Sequence, residues 1–140
     1  MPKQVLIVDD EADLRRALTV RLTSAGFACQ TAANGREGLS KAQQTAPDLI
    51  IVDLLMPEMN GSALCRELAR DARTATIPIL VLTVLPVTRP GQREDSVERE
   101  RRKLPGVARS MQKPFDSDEL VRTVEELVGT DPQGGEGHGR

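Results

Sequence analysis

One repeated pattern constrains this chain more than any other. A short, wholly apolar run ends abruptly on a polar residue, and an amphipathic stretch follows. Val5–Val8 runs straight into Asp9, Asp10 and Glu11. Leu49–Val52 ends on Asp53, and Ile79–Leu82 ends on Thr83. A weaker run, Val107–Met111, ends just before Lys113-Pro114. Continuous apolar runs of this length suit central parallel strands, which are covered on both faces. Between them the spacing becomes helical. Leu14, Ala17, Leu18, Leu22 and Ala25 form one stripe, and Gly26 stops it. Phe27–Ala32 reads as a second, weaker strand, and Asn34-Gly35 as a turn. Leu39, Ala42 and Ala46 stripe a second helix that must end near Pro47. Leu64 and Leu68 mark a third. The last helix has a start signal, Asp116 followed three residues on by Glu119. Its inward stripe is Leu120, Val124, Leu127 and Val128, and Gly129 ends it.

Five strands alternating with helices predict an α/β fold, a doubly wound five-stranded parallel sheet. Such sheets bind ligands beyond the carboxyl ends of their strands. Asp9, Asp10, Asp53, Thr83 and Lys113 all fall there, so the topology gathers them on one edge. A chain of 140 residues, 39% hydrophobic, is enough for one domain with a real core. With two Phe and no Trp or Tyr, that core must be aliphatic. The formal net charge of -2 gives no electrostatic reason to expect nucleic acid as a partner. No run of about 18 apolar residues predicts a membrane span. The start of the chain enters a strand pattern directly, which predicts no signal peptide. Cys29 and Cys65 fit no metal or redox spacing and are expected as buried thiols in a reducing compartment. The expected location is cytoplasmic.

The gathered residues define a chemistry. Adjacent like charges at about 4 Å repel by roughly 4 kcal/mol at an effective dielectric near 20, so something must offset them. One local explanation is that Asp9 or Asp10 caps the helix starting near Ala12, whose positive end also suits Glu11 and Asp13. That does not explain Asp53 after a buried strand, nor Lys113 after another. Three carboxylates without His or Cys form a hard oxygen site suited to Mg2+. Lys113 is a compact cation for a phosphoryl oxygen, and Thr83 brings a hydroxyl. Metal, cation and hydroxyl around an Asp nucleophile form a phosphoryl-transfer arrangement. No Gly-rich phosphate loop appears, so no nucleotide cofactor is expected.

Two segments break the pattern. From Val84 to Pro105 the sequence carries Pro86, Pro90 and Gly91, then a charge-laced stretch whose Asp95–Arg99 and Glu98–Arg102 pairs suit a solvated helix. Residues 129–140, rich in Gly and holding the lone His138, are expected to be a disordered tail beyond a domain spanning 3–128.

The motifs VLIVDDE, PDLIIVDLLMPEMNG, IPILVLT and KPF, in this order, resemble those of bacterial response-regulator receiver domains, the chemotaxis-regulator-like phosphoacceptor family. The resemblance implies a flavodoxin-like (βα)5 fold, here with an irregular fourth helical region. It implies that Asp53 accepts a phosphoryl group from a histidine kinase or phosphotransfer protein, and that the domain catalyses only its own phosphorylation and dephosphorylation. Asp10, Asp53 and the backbone carbonyl of Leu55 would ligate Mg2+, with Asp9 acting through water. Lys113 would pair with the phosphoryl group, Thr83 would turn inward to it, and Pro114 would follow a cis peptide. An unidentified output protein or domain would read the fourth helix, fifth strand and fifth helix, and dimerisation there stays open. Receivers commonly carry Tyr or Phe three residues before the lysine, where this chain has Ser110. The switch is therefore expected in residues 84–104 rather than in an aromatic rotamer. Leu55, Val84 and Leu85 should slow loss of the phosphoryl group by hindering water. Two rival readings share these residues: a receiver-like docking module without phosphotransfer, and a small phosphohydrolase with an Asp nucleophile.

Overall fold

The computed structural model describes residues 2–54, 56, 59–84 and 104–129. Expectations placed on Leu55, residues 85–103 and the tail from 130 onward lie outside the described residues. Within them the elements run β1 (Gln4–Val8), α1 (Ala12–Ser24), β2 (Ala28–Ala32), α2 (Gly35–Thr45), β3 (Leu49–Asp53) and α3 (Gly61–Arg70). Then come β4 (Ile79–Thr83), β5 (Val107–Gln112) and the last described helix, α4 (Ser117–Val128). All pairings are parallel, in the order β2-β1-β3-β4-β5. The chain order reverses between β1 and β3, the crevice where such sheets bind ligands.

The apolar runs behave as their composition demands. Every residue of β3 and β4 is buried. Alternate side chains enter two cores. Leu6, Val8, Ile50, Val52, Ile79 and Val81 face one core with Leu64, Cys65 and Leu68 of α3. Val5, Ile7, Leu49, Ile51, Leu80 and Leu82 face the other with Leu18 and Leu22 of α1 and Leu120, Val121 and Val124 of α4. Fully burying one such side chain contributes about 1.5–3 kcal/mol, so each strand is held from both sides.

Four local readings change. Ala46, expected in the inward stripe of α2, is instead its exposed C-cap in the left-handed region. Ala17 is exposed. The inward stripe of α1 is Leu14, Leu18 and Leu22, and Ala17 lies about 100° around the helix from Leu18. Asn34-Gly35 is a helix start rather than a free turn. The Asn34 side chain accepts the Glu37 N–H at 2.8 Å, and the Glu37 carboxylate accepts the Ala33 N–H at 2.8 Å. This reciprocal pair satisfies orphan donors at the start of α2. The backbone donor at Ala33, helped by Lys41 and opposed by burial, also holds the Glu37 carboxyl below its usual range. Finally, Cys65 is buried but Cys29 only partly so, because β2 is an edge strand. Burial pushes the Cys65 thiol up to about 11.

At the other end of the chain, Asp116 caps α4 as its sequence predicts, accepting the Asp118 N–H at 3.4 Å. No helix among the described residues is long and apolar enough to cross a membrane.

Candidate functional site

Strand register builds the site. Val8 of β1 pairs with Val52 of β3. One residue further along each strand stand Asp9 and Asp53, side by side at the sheet's carboxyl edge. Asp53 pairs with Leu82 of β4, and Thr83 pairs with Gln112 of β5, one residue before Lys113. Asp9 is 1% exposed and Asp53 7%, while Asp10 projects into solvent. One carboxylate oxygen from each of Asp9, Asp10 and Asp53 lies within 4.8 Å of the others.

Lys113 crosses the sheet edge to meet them. Its Nζ donates to the Asp9 carboxylate at 3.2 Å and sits 3.6 Å from Asp53 and 3.8 Å from Glu11. Burial alone would lower the pKa of this ammonium. The negative charges of Asp9 and Asp53, the hydrogen bond to Asp9 and the charge of Glu11 outweigh it and hold the Lys113 pKa above the ordinary lysine value. The backbone contributes too: the Lys113 N–H donates to the Thr83 carbonyl at 2.7 Å, tying the tips of β4 and β5. The Lys113-Pro114 peptide is cis.

Asp9 is held as tightly as any core residue. Its N–H donates to the Ala32 carbonyl at 3.1 Å, and its carboxylate accepts the Glu11 N–H at 2.9 Å. Arg15 donates to its carbonyl at 2.7 Å. The capping explanation for the acidic run fails, because the N-cap of α1 is Glu11, with no side-chain cap. Thr83 is fully buried at the end of β4, and Ser110 is half-buried on β5, paired with Val81.

Asp9, Asp10, Asp53 and Lys113 therefore converge as their strand-end positions predict, with Thr83 on the adjoining strand tip. Leu55 lies outside the described residues. Glu11 and Arg15 also reach the site, and neither was expected in it. Their only sequence signal is proximity to Asp9 at the start of an amphipathic helix, a position many surface charges occupy.

The donor set tests whether a metal fits. The group found among the described residues is three carboxylates without His or Cys, which suits a hard divalent cation, and two of them are buried beside Lys113.

Comparison with known proteins agrees with this geometry. The family model of the response regulator receiver domain matches residues 5–125, and the chain belongs to that family. It is 37% identical over 128 residues to the DNA-binding dual master transcriptional regulator RpaA of Synechocystis, covering 91% of this chain and 49% of that protein. The chain thus spans about half the length of that relative. The chemotaxis protein CheY4 of Vibrio cholerae superposes with a TM-score of 0.80 at 30% identity, covering 91% of this chain and all of that one. The receiver domain of the sensor histidine kinase PA1611 from Pseudomonas aeruginosa, whose structure holds a magnesium ion in its active-site cleft, shares the fold. Its TM-score is 0.78 at 24% identity, over 93% of this chain and 100% of that domain. The chain is a receiver domain of the two-component signalling type.

Proposed function

We propose that Asp53 is the phosphoacceptor. A carboxylate oxygen of Asp53 attacks the phosphorus of a phosphohistidine on a histidine kinase or phosphotransfer protein. The P–N bond breaks, the imidazole leaves with its electron pair and takes up a proton, and an acyl phosphate remains on Asp53. Mg2+, held by Asp10, Asp53 and the Leu55 carbonyl with Asp9 behind water, would neutralise charge on the phosphoryl oxygens. Lys113 pairs with a phosphoryl oxygen, exchanging one anionic partner for another. Thr83 donates its hydroxyl to the same group. The added charge of about -1.5 to -2 biases a two-state equilibrium that an output partner reads. With Ser110 in place of an aromatic residue, residues 84–104 carry that switch. The protein acts in the cytoplasm, as its kinase donors do.

One observation carries this reading: a single lysine ammonium lies within 3.6 Å of two buried carboxylates at adjoining strand ends, with a third carboxylate completing the cluster. The experiment is phosphoryl labelling from a phosphorylated donor with Mg2+ present. The wild type should take up acid-stable, base-labile label, and Asp53→Ala should take up none. Label retained in Asp53→Ala, or a wild type that never labels under any kinase or small phosphodonor, overturns the reading.

A further inference from the structure

Four carboxylates meet one ammonium at the carboxyl edge of the sheet, and one of the four stands apart. Asp9 and Asp53 are buried, and Asp10 completes a cluster with them. Glu11 lies outside that cluster. Its Oε1 is 3.8 Å from the Lys113 Nζ, and its side chain is 65% exposed where that of Lys113 is 14% exposed. Glu11 is the N-cap of α1, yet its side chain makes no cap hydrogen bond. The helix draws no capping bond from this carboxylate, which stands at the exposed rim of the pocket instead.

Charge balance gives the rim position a use. With a divalent cation held by Asp9, Asp10 and Asp53, those three carboxylates, the cation and Lys113 sum to zero. Glu11 then leaves the pocket with a net negative charge. Arg15 does not cancel that excess, because its guanidinium bonds the Asp9 backbone carbonyl at 2.7 Å and is balanced by Glu37. A phosphoryl group arriving at Asp53 comes close to this charge, since one ammonium lies within 3.8 Å of both carboxylates. Repulsion grows with the charge of the donor. At about 7 Å in bulk water, each added unit of charge slows encounter about threefold.

We propose that Glu11 is a specificity-determining residue: it selects against free dianionic phosphodonors at the rim of the Asp53 pocket. This role rests on the phosphoacceptor reading of Asp53 given above. Two small donors isolate the effect of charge. Acetyl phosphate is a dianion at neutral pH. Phosphoramidate is a net monoanion there, because its nitrogen is protonated. With either donor an Asp53 carboxylate oxygen attacks phosphorus. Acetate leaves with the electron pair of the broken P–O bond, or ammonia leaves with that of the broken P–N bond.

The test is the ratio of the rates with acetyl phosphate and with phosphoramidate, read as mass gain of the full chain. Mg2+ is kept saturating for each variant by its own titration. At low ionic strength, Glu11→Gln and Glu11→Ala should both raise the ratio about threefold over wild type. Salt at about 1 M, where the Debye length is about 3 Å, should bring the ratios together. Asp13→Asn removes an acid from the same helical turn, 97% exposed and paired with Arg16, and should leave the ratio unchanged. A Glu11→Gln ratio equal to that of wild type overturns the proposal. So does an equal rise in Asp13→Asn, or a rise that persists at high salt. A wild type that reacts with neither donor removes the reading of Asp53 itself, whereas an unchanged ratio in reactive proteins removes the selectivity alone.

Discussion

The acidic and basic halves of the site are built on different parts of the sheet. Asp9 and Asp53 end the central strands β1 and β3, whose residues pack into both cores. Lys113 follows β5, an edge strand on which Ala108, Arg109 and Gln112 are exposed. The carboxylates are therefore placed by the core, before any ligand or counter-ion acts. The lysine is placed by what it touches: one backbone hydrogen bond to Thr83 and three carboxylates. A rigid anion pair with an adjustable cation suits the phosphoryl-accepting role proposed for this pocket.

The sharpest way to break this contrast is to compare core truncations. Ile51→Ala, fully buried in β3, should cost about 3–4 kcal/mol of unfolding free energy. Met111→Ala, on β5, should cost about 2 kcal/mol. Urea denaturation measures both, and equal costs would erase the distinction between central and edge strands.

Next in size is Lys113→Met. It strips the counter-charge from two buried carboxylates and should lower stability by about 1–3 kcal/mol. Added Mg2+ should restore part of that loss, and phosphoryl uptake should slow at least tenfold. A variant as stable as wild type, and indifferent to Mg2+, would mean that the core alone tolerates the anion pair.

A pH titration gives a smaller effect. The folded-state pKa of Lys113 is raised, so its stabilisation is complete below the unfolded lysine value of about 10.4. It is lost as pH rises through the folded value. Wild-type stability should thus fall more steeply than that of Lys113→Met above about pH 10.4, with the difference flat from pH 7 to 9.

The smallest prediction is a control far from the pocket. The Asp71 carboxyl is held at about 2, first by the Arg73 side chain and then by the Arg73 N–H. A depressed carboxyl stabilises above its unfolded value of about 3.9, and the stabilisation disappears as pH falls toward 2. Asp71→Asn should flatten the acid limb of the stability curve slightly and leave phosphoryl uptake unchanged.

The contrast also explains what could be read from the chain alone. Central strands announce themselves, because burial on both faces forces an unbroken apolar run. The polar residue ending each run then marks the ligand edge. Asp9, Asp53 and Thr83 were legible for that reason, and Lys113 from its place after the last strand. Asn34-Gly35 was misread because the dipeptide that makes a tight turn also makes a good helix start, and only Glu37 reaching back to Ala33 separates the two. Ala17 was misplaced because small residues bordering a helical stripe fit either face. The contacts of Glu11 and Arg15 with the pocket arise from tertiary placement. No local spacing encodes them.

The hydrogen bond from Lys113 to Thr83 has an engineering consequence. It stitches the exit of β4 to the far end of β5, while Leu104 is buried just ahead of β5. Both anchor points belong to the described sheet and core, and the interval from Val84 to Leu104 lies between them in the sequence. That interval can serve as a cassette. Grafts of other lengths or compositions there should change who listens to the domain while leaving intact the machinery that receives the message.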